Sequence, residues 1–114
     1  MTHGADGTSG ELARLLEAAA ADLDGVDQRE RATGFDWSTQ GVVFASVEGD
    51  RAEFRLAPPI VAAALRTPST QPSARGADWV AFAPPELDGH AIDRAEAWLA
   101  SAWRRANGGS VAGA

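Results

Sequence analysis

The chain has 114 residues, enough for one domain with a sizeable core, and 45% of them are hydrophobic against 23% charged, which excludes an intrinsically disordered protein. The absence of cysteine excludes disulfide bonds, a thiol nucleophile and Cys-based metal sites. All ten basic residues are arginine, and the net charge of −6 repels phosphate backbones and anionic membranes, so the composition disfavours nucleic acid as a partner.

Nothing in the sequence indicates a membrane protein or an exported one. No apolar run approaches the roughly 18 residues that span a bilayer, and residues 1–9 lack the basic and apolar regions of a signal peptide. We therefore expect a cytoplasmic protein without a membrane partner. Because the chain shows neither internal repeats nor a Pro/Gly/Ser linker, we predict one domain at 9–107 between disordered tails at 1–8 and 108–114.

The first predicted element is an amphipathic helix over about 10–24. Thr8 and Glu11 have the spacing of a capping box, in which Thr8 is the N-cap. Gly25 stands where helices often end with a residue in the left-handed conformation. The apolar residues of the predicted helix recur at three- and four-residue intervals and should cover part of a core: Leu12, Leu15, Leu16, Ala19 and Leu23.

The middle of the chain has the pattern of antiparallel strands. Residues 26–33 are charged and alternate loosely, which favours a short edge strand, and Phe35 and Trp37 begin another. The strongest pattern is a β-hairpin over 42–56 with a tight turn at Gly49-Asp50. Its second strand predicts one buried and one solvated face, because Ala52, Phe54 and Leu56 alternate with Arg51, Glu53 and Arg55.

Two helices and one further strand follow the hairpin. Residues 59–66 are predicted to form a short helix that begins at a proline. A polar loop over 67–77 leads into a strand at 78–83, which two prolines stop. The last helix is expected at 91–106, before an Asn-Gly-Gly stop. Its predicted core face consists of Ile92, Ala95, Leu99, Ala102 and Ala106.

Together these elements predict a single α+β domain in the order α-β-β-β-α-β-α. The N- and C-terminal helices should pack on one face of an antiparallel sheet of about four to five strands. Helices on one face leave the other face in water, where the charged residues of the strands belong.

The polar loop offers one candidate ligand site. It gathers four hydroxyl groups, a guanidinium and a glycine, which could surround a small anion such as phosphate, although no phosphate-loop spacing is present. The alternative is an ordinary surface loop built from turn residues. The ligand-binding residues that we predict in and near this loop are Thr67, Ser69, Thr70, Ser73, Arg75, Trp79 and His90.

His90 lies close in sequence to two acidic residues, Asp88 and Asp93. A metal site would use these imidazole and carboxylate groups. Acidic residues are also favoured at helix N-termini, as caps and by the macrodipole. We favour capping and predict no metal and no cofactor. Since no Gly-x-Ser-x-Gly elbow occurs and no serine partner for His90 is evident, we predict no catalytic residues.

Four tryptophans are many for a chain of this length. Core packing is the usual role of such side chains, and contact with a partner is the alternative. Trp98 and Trp103 are five positions apart on the last predicted helix, so one of them should lie partly exposed at the edge of its core face. Both are candidate residues of an interface.

Arginines form a possible basic stripe on the solvated sheet face. Arg51 and Arg55 lie on the hairpin, and Arg29 and Arg31 lie on the predicted edge strand. Such a stripe could contact nucleic acid. We favour cross-strand pairing with acidic residues, since opposed charges stabilise antiparallel neighbours. The expected partners are Glu30, Glu48 and Glu53.

The stretch from Val43 to Ala106 resembles the small MmcQ/YjbR-like proteins. The resemblance lies in Phe44-Ala45, in the run Phe54-Arg55-Leu56-Ala57-Pro58 before a helix, in Ala64-Leu65-Arg66 and in Trp79-Val80. Ser101 with Trp103 is similar to the Ser-Tyr pair of the family's last helix. The resemblance implies a frataxin-like (CyaY-like) α+β fold and a DNA-binding role through a double-wing surface.

A second family is similar over the same segments. The bacterial luciferase-associated α/β domain shares the order strand, helix, Trp-Val strand and helix, although the histidines of that family have no counterpart on the corresponding strand here.

Three functional hypotheses follow. The missing catalytic motif and the long polar loop favour a non-enzymatic binding or interaction module, whose partner is a small molecule or a protein. The first resemblance implies DNA binding, which the acidic charge opposes. The third hypothesis is a small enzyme or anion-binding protein that uses the loop Thr67–Gly76, and the enzyme would act through Arg75 and His90. We expect a monomer or a homodimer.

Overall fold

The computed structural model of the chain describes the backbone of residues 3–108 and the side chains of residues 10–108. Within these residues, none of the helices combines the length and the apolar character needed to cross a bilayer. The elements in chain order are α1 (His3–Ala21), β1 (Val26–Arg31), β2 (Gly34–Thr39), β3 (Val42–Glu48), β4 (Arg51–Arg55), α2 (Pro58–Ala64), β5 (Thr70–Pro72), β6 (Trp79–Phe82) and α3 (Gly89–Ala106).

All six strands belong to one antiparallel sheet with the order β1-β2-β3-β4-β6-β5. The first four strands follow one another as a meander. After α2, the chain adds β5 and β6, and β6 lies beside β4 while β5 forms the outer edge. The α+β class is confirmed. The sheet has six strands rather than four to five, because β5 lies within the segment predicted as a polar loop.

Two tight turns set the register of the central hairpins. Gln40 and Gly41 join β2 to β3 with positive φ angles of 53° and 80°, the conformation that a two-residue type I′ turn requires at both central positions. Sequence inspection did not identify this turn. Gly49 joins β3 to β4 with a φ of 60°, so the predicted hairpin turn at Gly49-Asp50 is confirmed.

The helices α1 and α3 pack on one face of the sheet, which we call the core face. On β4 the buried residues alternate with exposed and half-buried ones, as predicted from the sequence. The predicted stripe of α1 is confirmed, since Leu12 and Leu16 are buried and Leu15, Ala19 and Leu23 pack against them. The sheet contributes the four largest fully buried side chains, Trp37, Phe44, Phe54 and Phe82, together with Val47 and Val80.

The core face of α3 differs from the predicted one. Trp98 is buried, and its ring lies 5.1 Å from the ring centroid of Phe82 and 6.1 Å from that of Phe54. The core therefore takes Ala91, Ala95, Trp98, Leu99 and Ala102, whereas Ile92 is only half-buried. The prediction of Ile92 as a core residue was wrong. Because the large indole of Trp98 packs against the sheet, the buried face of α3 is centred nearer to Trp98 and leaves Ile92 at its edge.

Helix bounds also differ from the sequence-based ones. The first helix begins at His3 and ends at Ala21, so Thr8 lies within it and the predicted N-cap at Thr8 was wrong. The last helix begins at Gly89, one residue after its N-cap. The disorder expected at 1–8 and 108–114 stays a prediction, and residues 1–2 and 109–114 lie outside the described part of the chain.

Candidate functional site

The face of the sheet opposite α1 and α3 carries the polar residues of the strands, and we call it the open face. Strand alternation places Glu53 on it, between the core residues Ala52 and Phe54. The strand register aligns one row of residues across the whole sheet at this level. The row runs through Arg29, Asp36, Ser46, Glu53, Ala81 and Gln71.

Arg75 reaches from the β5–β6 loop across this row. Its Nε donates to Glu53 Oε1 at 2.8 Å, and its Nη2 donates to Ser46 Oγ at 3.0 Å. The same Nη2 lies 3.8 Å from Asp36 Oδ1. The guanidinium stands over the indole of Trp79, 4.8 Å from the ring centroid, which is a cation–π geometry. One side chain thus contacts β6, β4, β3 and β2.

Ser73 fixes the loop that presents Arg75. Its hydroxyl donates to Glu53 Oε2 at 2.6 Å and accepts from the backbone N–H of Arg75 at 3.0 Å. Glu53 therefore accepts from Ser73 with one oxygen and from Arg75 with the other. Both ends of this short loop segment are bonded to the same carboxylate, so the guanidinium of Arg75 is held in a defined place.

Arg31 enters the cluster from β1. Its Nη2 donates to Ser46 Oγ at 3.4 Å, and its Nε lies 3.3 Å from Asp36 Oδ1. Asp36 Oδ1 is inaccessible to solvent and has no hydrogen bond of good geometry. The attraction between Asp36 and the two arginines is therefore ionic rather than a directed hydrogen bond. Ser46, covered by both guanidiniums, is 1% exposed.

Glu53 is the titratable group whose pKa is clearly perturbed among the described residues. Partial burial by itself would raise the pKa of this carboxyl. The hydrogen bonds from Ser73 and Arg75, together with the positive charges of Arg75 and Arg51, outweigh burial and lower the pKa below its ordinary value. Glu53 therefore stays ionised at neutral pH, which suits a binding or structural role better than proton transfer.

A groove of about 490 Å³ lies beside this cluster on the open face. Asp36 belongs to both the cluster and the groove, so the groove ends where the ionic network begins. The volume falls within the range of small-molecule sites. The other lining residues are Asp27, Gln28, Arg29, Ser38, Gly41 and Val43.

The predicted ligand-binding residues separate into three places. Ser73, Arg75 and Trp79 meet on the open face. The hydroxyls of Thr67 and Thr70 both donate to the carbonyl oxygen of Ala64, at 2.6 and 2.7 Å. Ala64 is the last residue of α2, so these bonds satisfy a carbonyl group at the C-terminal end of that helix. These two threonines have a local structural role that their turn-forming residue type already favours.

Ser69 and His90 lie in the third place, a cavity of about 340 Å³ beside the start of α3. Arg94 and Phe82 also line it. Phe82 is a core-face residue, whereas Arg75 lies on the open face, so Arg75 and His90 are on opposite sides of the sheet. The structure does not bring together the two side chains that the enzyme hypothesis requires.

Asp88 is the N-cap of α3. Its Oδ1 accepts a hydrogen bond from the backbone N–H of Ala91 at 2.9 Å, which is the capping role that the sequence analysis favoured over metal binding. His90 is exposed. Over the described residues, no three histidine or acidic side chains are grouped so that they could hold a metal ion.

The two tryptophans of α3 have different surroundings. Trp98 packs in the core, so its place is structural rather than at a surface where partners bind. Trp103 is partly buried at the edge of the core, and its Nε1 donates to the carbonyl oxygen of Asp24 at 3.0 Å. One partly exposed tryptophan was predicted, and Trp103 is that residue.

None of the strand arginines forms a close ion pair with the expected partners among residues 10–108, although the strand register does place Arg51 opposite Glu48. Arg31 pairs with Asp36 rather than with Glu30, Glu48 or Glu53. Glu53 pairs instead with Arg75 from the loop, whose Nε lies 2.8 Å from Glu53 Oε1. Glu48 accepts a hydrogen bond from the hydroxyl of Thr33. Among residues 10–108, Arg29, Arg51 and Arg55 take part in no ion pair.

Sequence reasoning missed Asp36 and Ser46 as members of the cluster. Both had a signal, because Asp36 separates two aromatic residues on β2 and Ser46 interrupts the apolar run of β3. A polar residue at such a position indicates a partner on the neighbouring strand.

No family model and no curated protein matches this chain.

Proposed function

We propose that the protein is a non-enzymatic binding module of the MmcQ/YjbR-like type that its sequence resembles, that it acts in the cytoplasm, and that it binds through the open face. The observation that carries the proposal is the fixed guanidinium of Arg75. Four strands contribute contacts to this one side chain, and the stacked indole of Trp79 lies beneath it. A preorganised arginine next to an aromatic ring is a common binding feature.

The chemistry of the cluster favours binding over catalysis. Glu53 has a lowered pKa and accepts a hydrogen bond on each carboxylate oxygen, so it is a weak general base. His90, the side chain that the enzyme hypothesis pairs with Arg75, lies on the other side of the sheet. The open face therefore combines charge, an aromatic ring and a groove without a matched acid–base pair.

Nuclear magnetic resonance of the ¹⁵N-labelled full chain tests this proposal. The probes are a glutamate-rich peptide, an arginine-rich peptide, a neutral Gly/Ser peptide and a single-stranded oligodeoxynucleotide, each titrated at low salt. We expect at least one probe to shift the amide signals of residues around Ser46, Glu53 and Trp79. Shifts confined to α1, α3 or the cavity at His90, or no shifts with any probe, would overturn the proposal.

A nucleic-acid-binding function is the second candidate, because the first resemblance implies it and because Arg29, Arg51 and Arg55 form no close ion pair among residues 10–108. Neutralised phosphates make affinity depend steeply on salt. In fluorescence anisotropy, the oligodeoxynucleotide should then bind the open face with a strong loss of affinity as salt rises. Absence of binding at low salt contradicts this second candidate.

A further inference from the structure

Charge is distributed unevenly between the open face and the rest of the molecule. Among residues 10–108, five of the ten arginines present their side chains on the open face, and only four of the fifteen acidic residues do so. The arginines are Arg29, Arg31, Arg51, Arg55 and Arg75, and the acids are Asp27, Asp36, Glu48 and Glu53. Because the net charge of the chain is −6, an anionic partner is attracted to this face and repelled by the remainder.

Three of these guanidiniums follow the line of β4. Arg51 and Arg55 flank Glu53 on the same face of the strand, and the side chain of Arg75 covers Glu53 between them. At about 3.3 Å per residue, the backbone positions of Arg51 and Arg55 are roughly 13 Å apart. Neither of these two takes part in an ion pair among residues 10–108.

An extended acidic peptide matches this line of charge. In an extended chain, side chains at positions i and i+4 point to the same side and are also roughly 13 Å apart. Two carboxylates with that spacing can each approach one guanidinium, and planar guanidinium groups bind carboxylates in a two-pronged geometry. Trp79 lies directly opposite Arg55 on β6, so an apolar surface borders the line.

A nucleic-acid strand fits the same surface less well. Its backbone carries a negative charge at every phosphate, whereas Asp36, Glu48 and Glu53 are interspersed among the arginines of this face. Some phosphates would therefore face carboxylates. A peptide can place neutral residues opposite these acids and carboxylates only opposite the arginines.

We propose that the partner of the open face is an extended acidic peptide segment whose carboxylates, four residues apart, pair with Arg51 and Arg55 along β4. This inference rests on the proposed binding function of that face. It identifies the chemistry of the partner and the residues that select it.

Calorimetric titration with two peptides of identical composition tests the spacing. One peptide carries glutamates at i and i+4, and the other carries them at i and i+3, which face opposite sides of an extended chain. We expect the first peptide to bind the full-length protein about fivefold more tightly, since each exposed ion pair contributes modestly. Raising the salt concentration should reduce this difference.

A matched pair of variants tests the residues. The double variant R51Q/R55Q should reduce the affinity for the first peptide about fivefold. The double variant R66Q/R104Q removes the same charge from two exposed sites outside the sheet and should leave the affinity unchanged. Circular dichroism of both variants establishes that each is folded.

The outcomes separate this inference from the proposed function. Equal binding of the two peptides on the open face, or tighter binding of the oligodeoxynucleotide there, overturns the acidic-peptide inference and leaves the binding function standing. Equal losses in the two double variants also overturn it, because the effect is then one of net charge. Amide shifts confined to the helices overturn both.

Discussion

Phe54 and Glu53 are neighbours on β4, yet they lie in two different environments. Phe54 is fully buried on the core face, where its ring lies 6.1 Å from that of Trp98. Glu53 faces the other way and is surrounded by donors from a loop, Ser73 and Arg75. Packing of buried apolar side chains stabilises the core face, whereas ion pairs and hydrogen bonds connect the side chains of the open face.

The contrast between the two faces separates the contacts that stabilise the fold from the surface that we propose for binding. Burial of apolar area is the main source of folding free energy and depends little on salt. Ion pairs near water contribute little to folding, so their arrangement on the open face can serve another purpose. Substitutions on the core face should therefore affect the free energy of unfolding more than substitutions on the open face.

The substitution Phe54→Ala should destabilise the protein by about 3–5 kcal/mol, because it removes a fully buried ring and leaves a cavity between the sheet and α3. The matched control on the open face is Arg55→Ala, which should change the free energy of unfolding by no more than about 0.5 kcal/mol. Urea denaturation followed by tryptophan fluorescence measures both. Similar losses in the two variants would contradict the division between the faces.

Arg105→Ala probes a polar contact on the core side of the molecule. The guanidinium donates to the carbonyl oxygen of Leu56 at 2.7 Å and to Asp78 Oδ2 at 3.1 Å, so it ties α3 to the ends of β4 and the loop before β6. We expect a loss of about 1–3 kcal/mol, because Leu56 is buried and its carbonyl would lose a charged donor.

Arg104→Ala is the control for this substitution. Arg104 is the preceding residue on α3 and is exposed, so its removal tests charge and helix propensity without the bonds to the sheet. Thermal unfolding of the two variants, measured by circular dichroism, gives the comparison. If both variants unfold at the temperature of the parent protein, the tie between α3 and the sheet is unimportant for stability.

Much of the core face could be predicted from the sequence, because apolar residues repeat with the period of each element. The two-residue alternation of Ala52 and Phe54 and the stripe of Leu12 and Leu16 both indicated buried surfaces, and the structure has them. That Trp98, and not Ile92, packs in the core could not be predicted. It depends on the space between Phe54 and Phe82, which periodicity does not describe.

The open face was less accessible to sequence reasoning. Arg75 was identified as a candidate from its loop, but its partners Asp36, Ser46 and Glu53 are distributed over three strands. Pairing these residues requires the strand register, and the register depends on turns such as Gln40-Gly41 that were not identified. Local patterns therefore predicted which residue types face water, and not which of them meet.

Asp88→Ala tests the N-cap of α3, beside the cavity that His90 lines. Loss of the hydrogen bond from Asp88 to the N–H of Ala91 should cost about 1 kcal/mol of folding free energy. Asp88→Ser keeps a capping oxygen and should restore most of that stability. Chemical denaturation measures both variants. Equal losses for alanine and serine would indicate that the negative charge, rather than the cap, is what α3 needs.

Apart from the controls, Glu53→Gln should have the smallest effect, below about 1 kcal/mol, and the effect should depend on pH. The pKa of Glu53 is lower in the folded chain than in the unfolded chain. Its ionised form therefore adds stability above the pKa of the unfolded state, and this stability is lost as the pH falls through the folded-state pKa. The difference between the parent and Glu53→Gln should shrink over that acidic range, whereas the exposed control Glu96→Gln on α3 should show no comparable trend. Urea denaturation at a series of pH values measures the difference in free energy of unfolding between the parent and Glu53→Gln. If this difference stays constant into acid, then hydrogen bonding alone, and not the charge of Glu53, holds Arg75 and Ser73 on the open face.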